Sequence, residues 1–185
     1  MKKEDCILFS GGIKGAEEAF GINAERYGIE EVNFSFEGHD SVRRRGIRIL
    51  TQDELKEGDV SFAYISKLMN RHYPKTATFR KVLQSIWYQI NSGREIFVVG
   101  HILDDKTVKG GTGWGAEFAK LCNKPLYVFD QSRDGWFAWN QTDWLACEPG
   151  NEPVISQPRF TGTGTRYLEA NGKQAIAALF ERTFG

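Results

Sequence analysis

The sequence predicts an α/β fold: a Rossmann-like open, mostly parallel sheet with helices on both faces. Three observations carry this. Short apolar runs, CILFS, VNFSF, EIFVVGHI and PLYVFD, alternate with segments of helical spacing. EIFVVGHI is too apolar to face water on either side, as a central parallel strand must be. Two glycine-rich stretches, SGGIKG at 10–15 and KGGTGWG at 109–115, each separate an apolar run from a helical one, which is where such sheets place their ligand crevice.

The elements follow in order. CILFS (6–10) is a strand broken by Gly11-Gly12, and Ala16, Ala19, Phe20, Ala24 and Tyr27 then recur at helical spacing up to Gly28. VNFSF (32–36) alternates as a second strand and enters a polar turn carrying Arg43-Arg44-Arg45, with Arg48 beyond it. Thr51 with Glu54 three residues on forms a capping-box pattern. Residues 62–72 and 79–91 read as helices, the second with Val82, Leu83, Ile86, Trp87 and Ile90 on one face and Gly93 at its end. After the strand at 95–102 and the second glycine loop, a helix continues to Asn123-Lys124-Pro125. PLYVFD (125–130) is a buried strand, GWFAWN (135–140) a strand or an aromatic flap, and 167–184 an amphipathic helix.

At 185 residues the chain suits one domain, spanning 1–185, given the usual size of about 100–200 residues per domain. Lys plus Arg and Asp plus Glu number 24 each, so no global field draws the protein to nucleic acid or to an anionic membrane. Any anion binding must be local. The amino terminus does not resemble a signal peptide and no stretch approaches a membrane span, so a cytoplasmic protein is expected. Cys6, Cys122 and Cys147 are odd in number and lack CxxC spacing, which speaks against disulfides and zinc. His39, His72 and His101 are too scattered for a metal site, and none is expected, although His101 ends the central strand with Asp104-Asp105 close behind.

A glycine loop entering a helix offers unobstructed backbone N–H groups at the positive end of the helix dipole, the outline of a phosphate site. The candidate phosphate-binding residues are Ser10, Gly11, Gly12, Lys14 and Gly15 in the first loop. In the second they are Gly110, Gly111, Thr112, Gly113, Trp114 and Gly115, with Lys109 and Arg43 to Arg45 as added charge. The glycines would otherwise serve only tight turns and close helix packing. FTGTGTR (160–166) adds hydroxyls and an arginine as a third anion contact. Trp114 and the Trp136–Trp139 pair would stack on a base, or fill core. No GxxxxGK[ST] occurs, which speaks against P-loop ATP hydrolysis, and the second loop departs from GxGxxG in its last glycine.

In order along residues 6–130, Ser10-Gly11-Gly12, Gly15-Ala16-Glu17, a middle helix, Val98-Val99-Gly100 and Gly110-Gly111-Thr112-Gly113-Trp114-Gly115-Ala116-Glu117 resemble the SLOG superfamily. This group includes DprA-like proteins, the LOG cytokinin-activating enzymes and the molybdenum cofactor carriers. The layout and the opening SGG loop are similar to the molybdenum-carrier branch, and the second loop to the PGGxGTxxE segment of LOG enzymes. The resemblance implies a nucleotide-type ligand, the only cofactor-like molecule expected, and a homo-oligomer. In LOG enzymes the glutamate after the loop, with an arginine, serves hydrolysis of the N-glycosidic bond of a nucleoside monophosphate. Carried over, those roles fall to Glu117 and, on the middle helix, Arg80. This chain lacks the Pro before the first Gly and has Trp114 within the loop. Glu17 matches the acidic residue that follows the opening loop in the carriers.

Three functions follow as expectations. The chain is a nucleotide N-glycosidase or glycosyl transferase acting through Glu117, a non-catalytic carrier or sensor for a signalling nucleotide or molybdopterin-type ligand, or an interaction subunit with a vestigial pocket.

Overall fold

The computed structural model describes residues 1–74 and 76–185. The run EIFVVG forms β4 (Glu95–Gly100), and all six of its residues are buried, so both faces of the sheet must be covered there. The side chains divide by parity. Phe97 and Val99 join a core with α1 (Ala16–Arg26) and α6 (Ala170–Phe184). Ile96 and Val98 join another with α3 (Asp59–Leu68), α4 (Ala77–Ser92) and α5 (Thr112–Leu121). A third cluster packs Phe9, Phe34 and Phe36 against Tyr88 and against Leu55 of the short α2 (Gln52–Lys56), whose predicted capping box between Thr51 and Glu54 forms.

The remaining strands are β1 (Ile7–Ser10), β2 (Glu30–Ser35), β3 (Ile47–Ile49), β5 (Leu126–Asp130), β6 (Gly135–Trp139), β7 (Trp144–Ala146) and β8 (Arg159–Gly164). They form one sheet in the order β3-β2-β1-β8-β4-β5-β6-β7. Every pair from β3 to β5 is parallel, while β6 and β7 extend the far edge antiparallel. The architecture is the predicted α/β class with a mostly parallel, helix-flanked sheet. GWFAWN resolves as strand β6 rather than a flap.

One strand is not legible in local pattern: within FTGTGTR, which the sequence marks only as a third anion contact, residues up to Gly164 belong to β8 (Arg159–Gly164), inserted between β1 and β4 at the centre of the sheet. Its small residues have a packing reason. A side chain at Gly162 would run into the Phe20 ring of α1, and Gly93, at the end of α4, sits against Thr161. Glycine and threonine therefore mark where helices approach both faces of the strand closely, a tertiary demand that mimics loop composition. The helix expected over 62–72 begins earlier, at Asp59, and ends at Leu68, with Asn70 in the left-handed region (φ 49°). Among the described residues no helix is long and apolar enough to cross a membrane, and Cys6, Cys122 and Cys147 are free thiols.

Candidate functional site

Inserting β8 between β1 and β4 brings the carboxyl ends of three parallel strands side by side, the position where open α/β sheets form ligand crevices. A cavity of about 710 Å³ lies there. The second glycine loop supplies Lys109, Gly110, Gly111 and Thr112 to its wall, and α4 supplies an apolar face of Phe79, Val82 and Ile86 together with Ser85 and Gln89. The end of β8 and the residues after it contribute Thr163 to Tyr167. Ile13 and Glu17 come from the first loop and α1, and His39 and His101 complete the rim.

The second loop is open to this space. Helix α5 begins after Gly111, and the amides of Gly111 and Thr112 find no acceptor among the described residues, whereas those of Gly113 and Trp114 bond back to Gly110 and Gly111. Free amides at a helix start carry the positive end of the dipole. Lys109 and Arg166 lie on the same cavity, and neither forms an ion pair with a described residue. The only carboxylate among the lining residues is Glu17.

The first loop is closed on itself. Glu17 reaches back from the first turn of α1, where its Oε2 accepts the Ile13 N–H at 3.2 Å and its Oε1 accepts the Thr163 hydroxyl at 2.8 Å. The Gly11 amide is a further donor to the same carboxylate. An internal carboxylate thus occupies the anion cradle that the loop was expected to offer a phosphate. Burial pushes the Glu17 carboxyl up to about 7, against the opposing pull of these hydrogen bonds and of Arg166. Gly15 caps α1 at φ 103°, and a side chain there would strike the backbone of Thr165 and Arg166, so this glycine holds α1 against the end of β8. Ser10, fully buried, donates to the Gly162 carbonyl at 2.7 Å. Gly11 packs against Gln89 and Glu17, and Gly12 against Ser41 and Arg43. Lys14 is exposed and, like Ser10, Gly11, Gly12 and Gly15, does not line the cavity.

Of the second loop's candidates, Gly110, Gly111 and Thr112 line the cavity, while Gly113, Trp114 and Gly115 do not. Trp114 is 3% exposed and packs against Phe62 and Tyr73, so it is core rather than a stacking platform. A side chain at Gly113 would collide with the Val108 carbonyl, and Gly115 faces Ile86 of α4. Glu117 is also outside the cavity. Its carboxylate pairs with Lys120 at 2.6 Å, and the Lys120 ammonium lies 3.9 Å from the centre of the Trp139 ring. Arg80 is held at the surface by Asp59, to which Tyr73 and Gln84 also donate. Trp136 and Trp144 are buried. Arg43 is committed to Glu31 and Glu25.

The structure adds groups that local sequence did not single out. Phe79 and Tyr167 are the exposed aromatic side chains on the cavity. Gln89 is 1% exposed, and its Oε1 has no hydrogen-bond partner among the described residues. His39, stacked on Phe36 and bonded through Nδ1 to Ser35, leaves Nε2 unpartnered. Burial, aided by Arg166, pulls its pKa down to about 4. His101 Nδ1 lies 3.0 Å from the Ser132 hydroxyl, which donates to Asp130 at 2.8 Å. Only the position of His101 at the end of a strand was legible in the sequence.

No protein-family model and no curated protein matches the chain. Its structure is similar to a crystal structure from Syntrophus aciditrophicus SB named "Putative molybdenum carrier protein", with a TM-score of 0.59 at 16% identity, over 100% of this chain and 98% of that one. At that identity the likeness is one of fold.

Proposed function

We propose that the chain is a SLOG-type binding protein that holds a phosphorylated, nucleotide-derived small molecule in this cavity without turning it over. One observation carries the reading: Gly111 and Thr112 at the start of α5, whose amides have no acceptor among the described residues, line the same cavity as Lys109 and Arg166, which form no ion pair with a described residue. Charge-assisted hydrogen bonds of this kind are each worth roughly 1.5–3 kcal/mol. A phosphate placed there leaves the apolar face of Phe79, Val82 and Ile86, and Tyr167 on the same cavity, for a flat ring.

The carrier reading is preferred to N-glycosidic hydrolysis because Glu117 and Arg80, the residues that would perform it, are paired with Lys120 and Asp59 away from the cavity. The name of the structurally similar Syntrophus protein supports the same choice. The test is a thermal-shift titration with inorganic phosphate, ribose 5-phosphate and nucleoside monophosphates, each mixture then assayed for released base. Stabilisation by phosphorylated compounds with no base released is the expected result. Stabilisation with base release would make the protein a glycosidase, and no shift with any of them would remove the reading.

A further inference from the structure

Helix α4 runs the depth of the cavity. Gly111 of the second loop lies against the Phe79 ring near the start of this helix, and Gln89 stands at the far end beside Glu17 and Gly11. At about 1.5 Å per residue, Phe79 and Gln89 are about 15 Å apart along the axis. A phosphorylated ligand that reaches both ends therefore carries a body of sugar and ring size behind its phosphate.

The far end presents hydrogen-bond donors. Gln89 is 1% exposed; its Oε1 is sealed from the cavity, while its Nε2 is the open atom and makes no hydrogen bond with a described residue. Ser85 commits its proton to the Val82 carbonyl at 2.8 Å and offers none. Thr163 is different. Its hydroxyl donates to Glu17 Oε1 at 2.8 Å, while Glu17 Oε2 accepts the Ile13 amide. An amide can only donate, but a hydroxyl can reverse. A proton taken up by Glu17 therefore sits on Oε1 and is donated to Thr163 Oγ1, which frees the Thr163 proton for the cavity. Burial keeps much of the carboxyl in that form near neutrality.

We propose that Gln89 Nε2 and the Thr163 hydroxyl select a ligand ring whose far edge carries a carbonyl oxygen, so that a keto base is preferred to its amino counterpart. The inference rests on the phosphate reading above and adds the chemistry of the opposite end. A carbonyl oxygen has two lone pairs and accepts both donors, whereas an exocyclic amine sets N–H against N–H. Sites built to pair a polar group reject analogues that leave it unpaired far more strongly than apolar surfaces reject a change of size.

The selection is tied to one proton. Ionised Glu17 holds the Thr163 proton and withdraws the second donor, so docking of a carbonyl draws a proton onto Glu17. The other titratable groups on the cavity are Arg166, Lys109, His39, His101 and Tyr167. Arg166 favours the ionised carboxylate, and His39, pulled down to about 4, is neutral where Glu17 titrates.

The experiment is isothermal titration of the full chain with inosine and adenosine monophosphates and with ribose 5-phosphate, at pH 6 and pH 8. Inosine monophosphate should bind about tenfold tighter than adenosine monophosphate at pH 6, and the ratio should narrow to about threefold at pH 8. Titration of the phosphate is common to both nucleotides and cancels in the ratio. Glu17→Gln, which cannot ionise, should hold the ratio constant over that range. Gln89→Leu should bring the two nucleotides to within about threefold of each other at pH 6, and either variant serves if the other does not fold. Equal affinity for the two nucleotides, a preference for adenosine monophosphate, a wild-type ratio that ignores pH, or a ratio unchanged in Gln89→Leu would overturn the inference and leave the phosphate site standing. Absence of binding by ribose 5-phosphate and by both nucleotides would overturn the phosphate reading itself.

Discussion

Thr163 Oγ1 donates to Glu17 Oε1 at 2.8 Å, joining residues 146 positions apart. The bond ties the end of β8 to the first turn of α1 and places a carboxyl with a raised pKa at the base of the cavity.

That carboxyl makes stability depend on pH. The native state holds its proton up to about pH 7, while an unfolded glutamate releases it near 4.5. Its contribution is therefore complete below about pH 4.5 and is lost as pH rises to about 7, at up to about 1.4 kcal/mol per pH unit. His39, depressed from 6.5 to about 4, acts with the opposite sign between those values, because the unfolded state takes up the proton first. Urea unfolding of the wild type and Glu17→Gln at several pH values separates the two. The variant should gain stability relative to wild type between pH 4.5 and 7, and a flat difference would show that Glu17 is solvated.

The His101 ring should be a fixed tautomer. Burial alone would raise the Asp130 carboxyl, but hydrogen bonds from Ile102, Ser132 and Arg133 outweigh it and hold its pKa below the usual carboxylate value. The ionised Asp130 takes the Ser132 proton, so the Ser132 oxygen is left to accept from His101 Nδ1–H. Gln131, whose Oε1 accepts the Glu169 amide, turns its Nε2 toward His101 Nε2 at 3.5 Å. Nitrogen-15 correlation spectra should show that the neutral form of the ring carries its proton on Nδ1, and Ser132→Ala should shift the tautomer population toward Nε2–H. A wild-type ring protonated at Nε2 would refute this relay.

Lys109→Ala and Arg166→Ala should each weaken ribose 5-phosphate binding by about tenfold, the lower end of what a charged hydrogen bond contributes. Neither should change thermal stability by more than about 0.5 kcal/mol, since both side chains are exposed and lack an ion-pair partner among the described residues. Affinity should also fall with added salt. Salt-independent binding would place the anion elsewhere.

Glu117→Gln should leave ligand affinity unchanged and cost about 1–3 kcal/mol, because its largely buried pair with Lys120 loses one charge while the amide oxygen can still accept from the ammonium. Trp114→Ala should instead destabilise by roughly 3–5 kcal/mol, as expected for emptying a core position among Phe62, Tyr73 and their neighbours. Chemical denaturation and a phosphate titration of both variants measure the contrast. An affinity loss in Glu117→Gln would return that residue to the site.

Local pattern alone determined the layered α/β architecture. Hydrophobic period and length marked β1, β4, β5, α1 and α4, because burying an apolar face constrains every second or every third and fourth residue of the chain itself. It also located the two glycine loops at strand ends. Tertiary structure decided the rest. β8 carries the glycine and threonine of a loop because α1 and α4 press on it from opposite faces, and only its insertion between β1 and β4 gathers Glu17, Gln89, Thr163 and Arg166 around one cavity. The same packing sent Trp114 into the core and Glu117 to Lys120, while both loops kept the same glycine-rich signature. Spacing along a chain specifies which face of a helix is buried; which distant side chains meet there depends on strand order, and strand order is set by packing across the whole sheet.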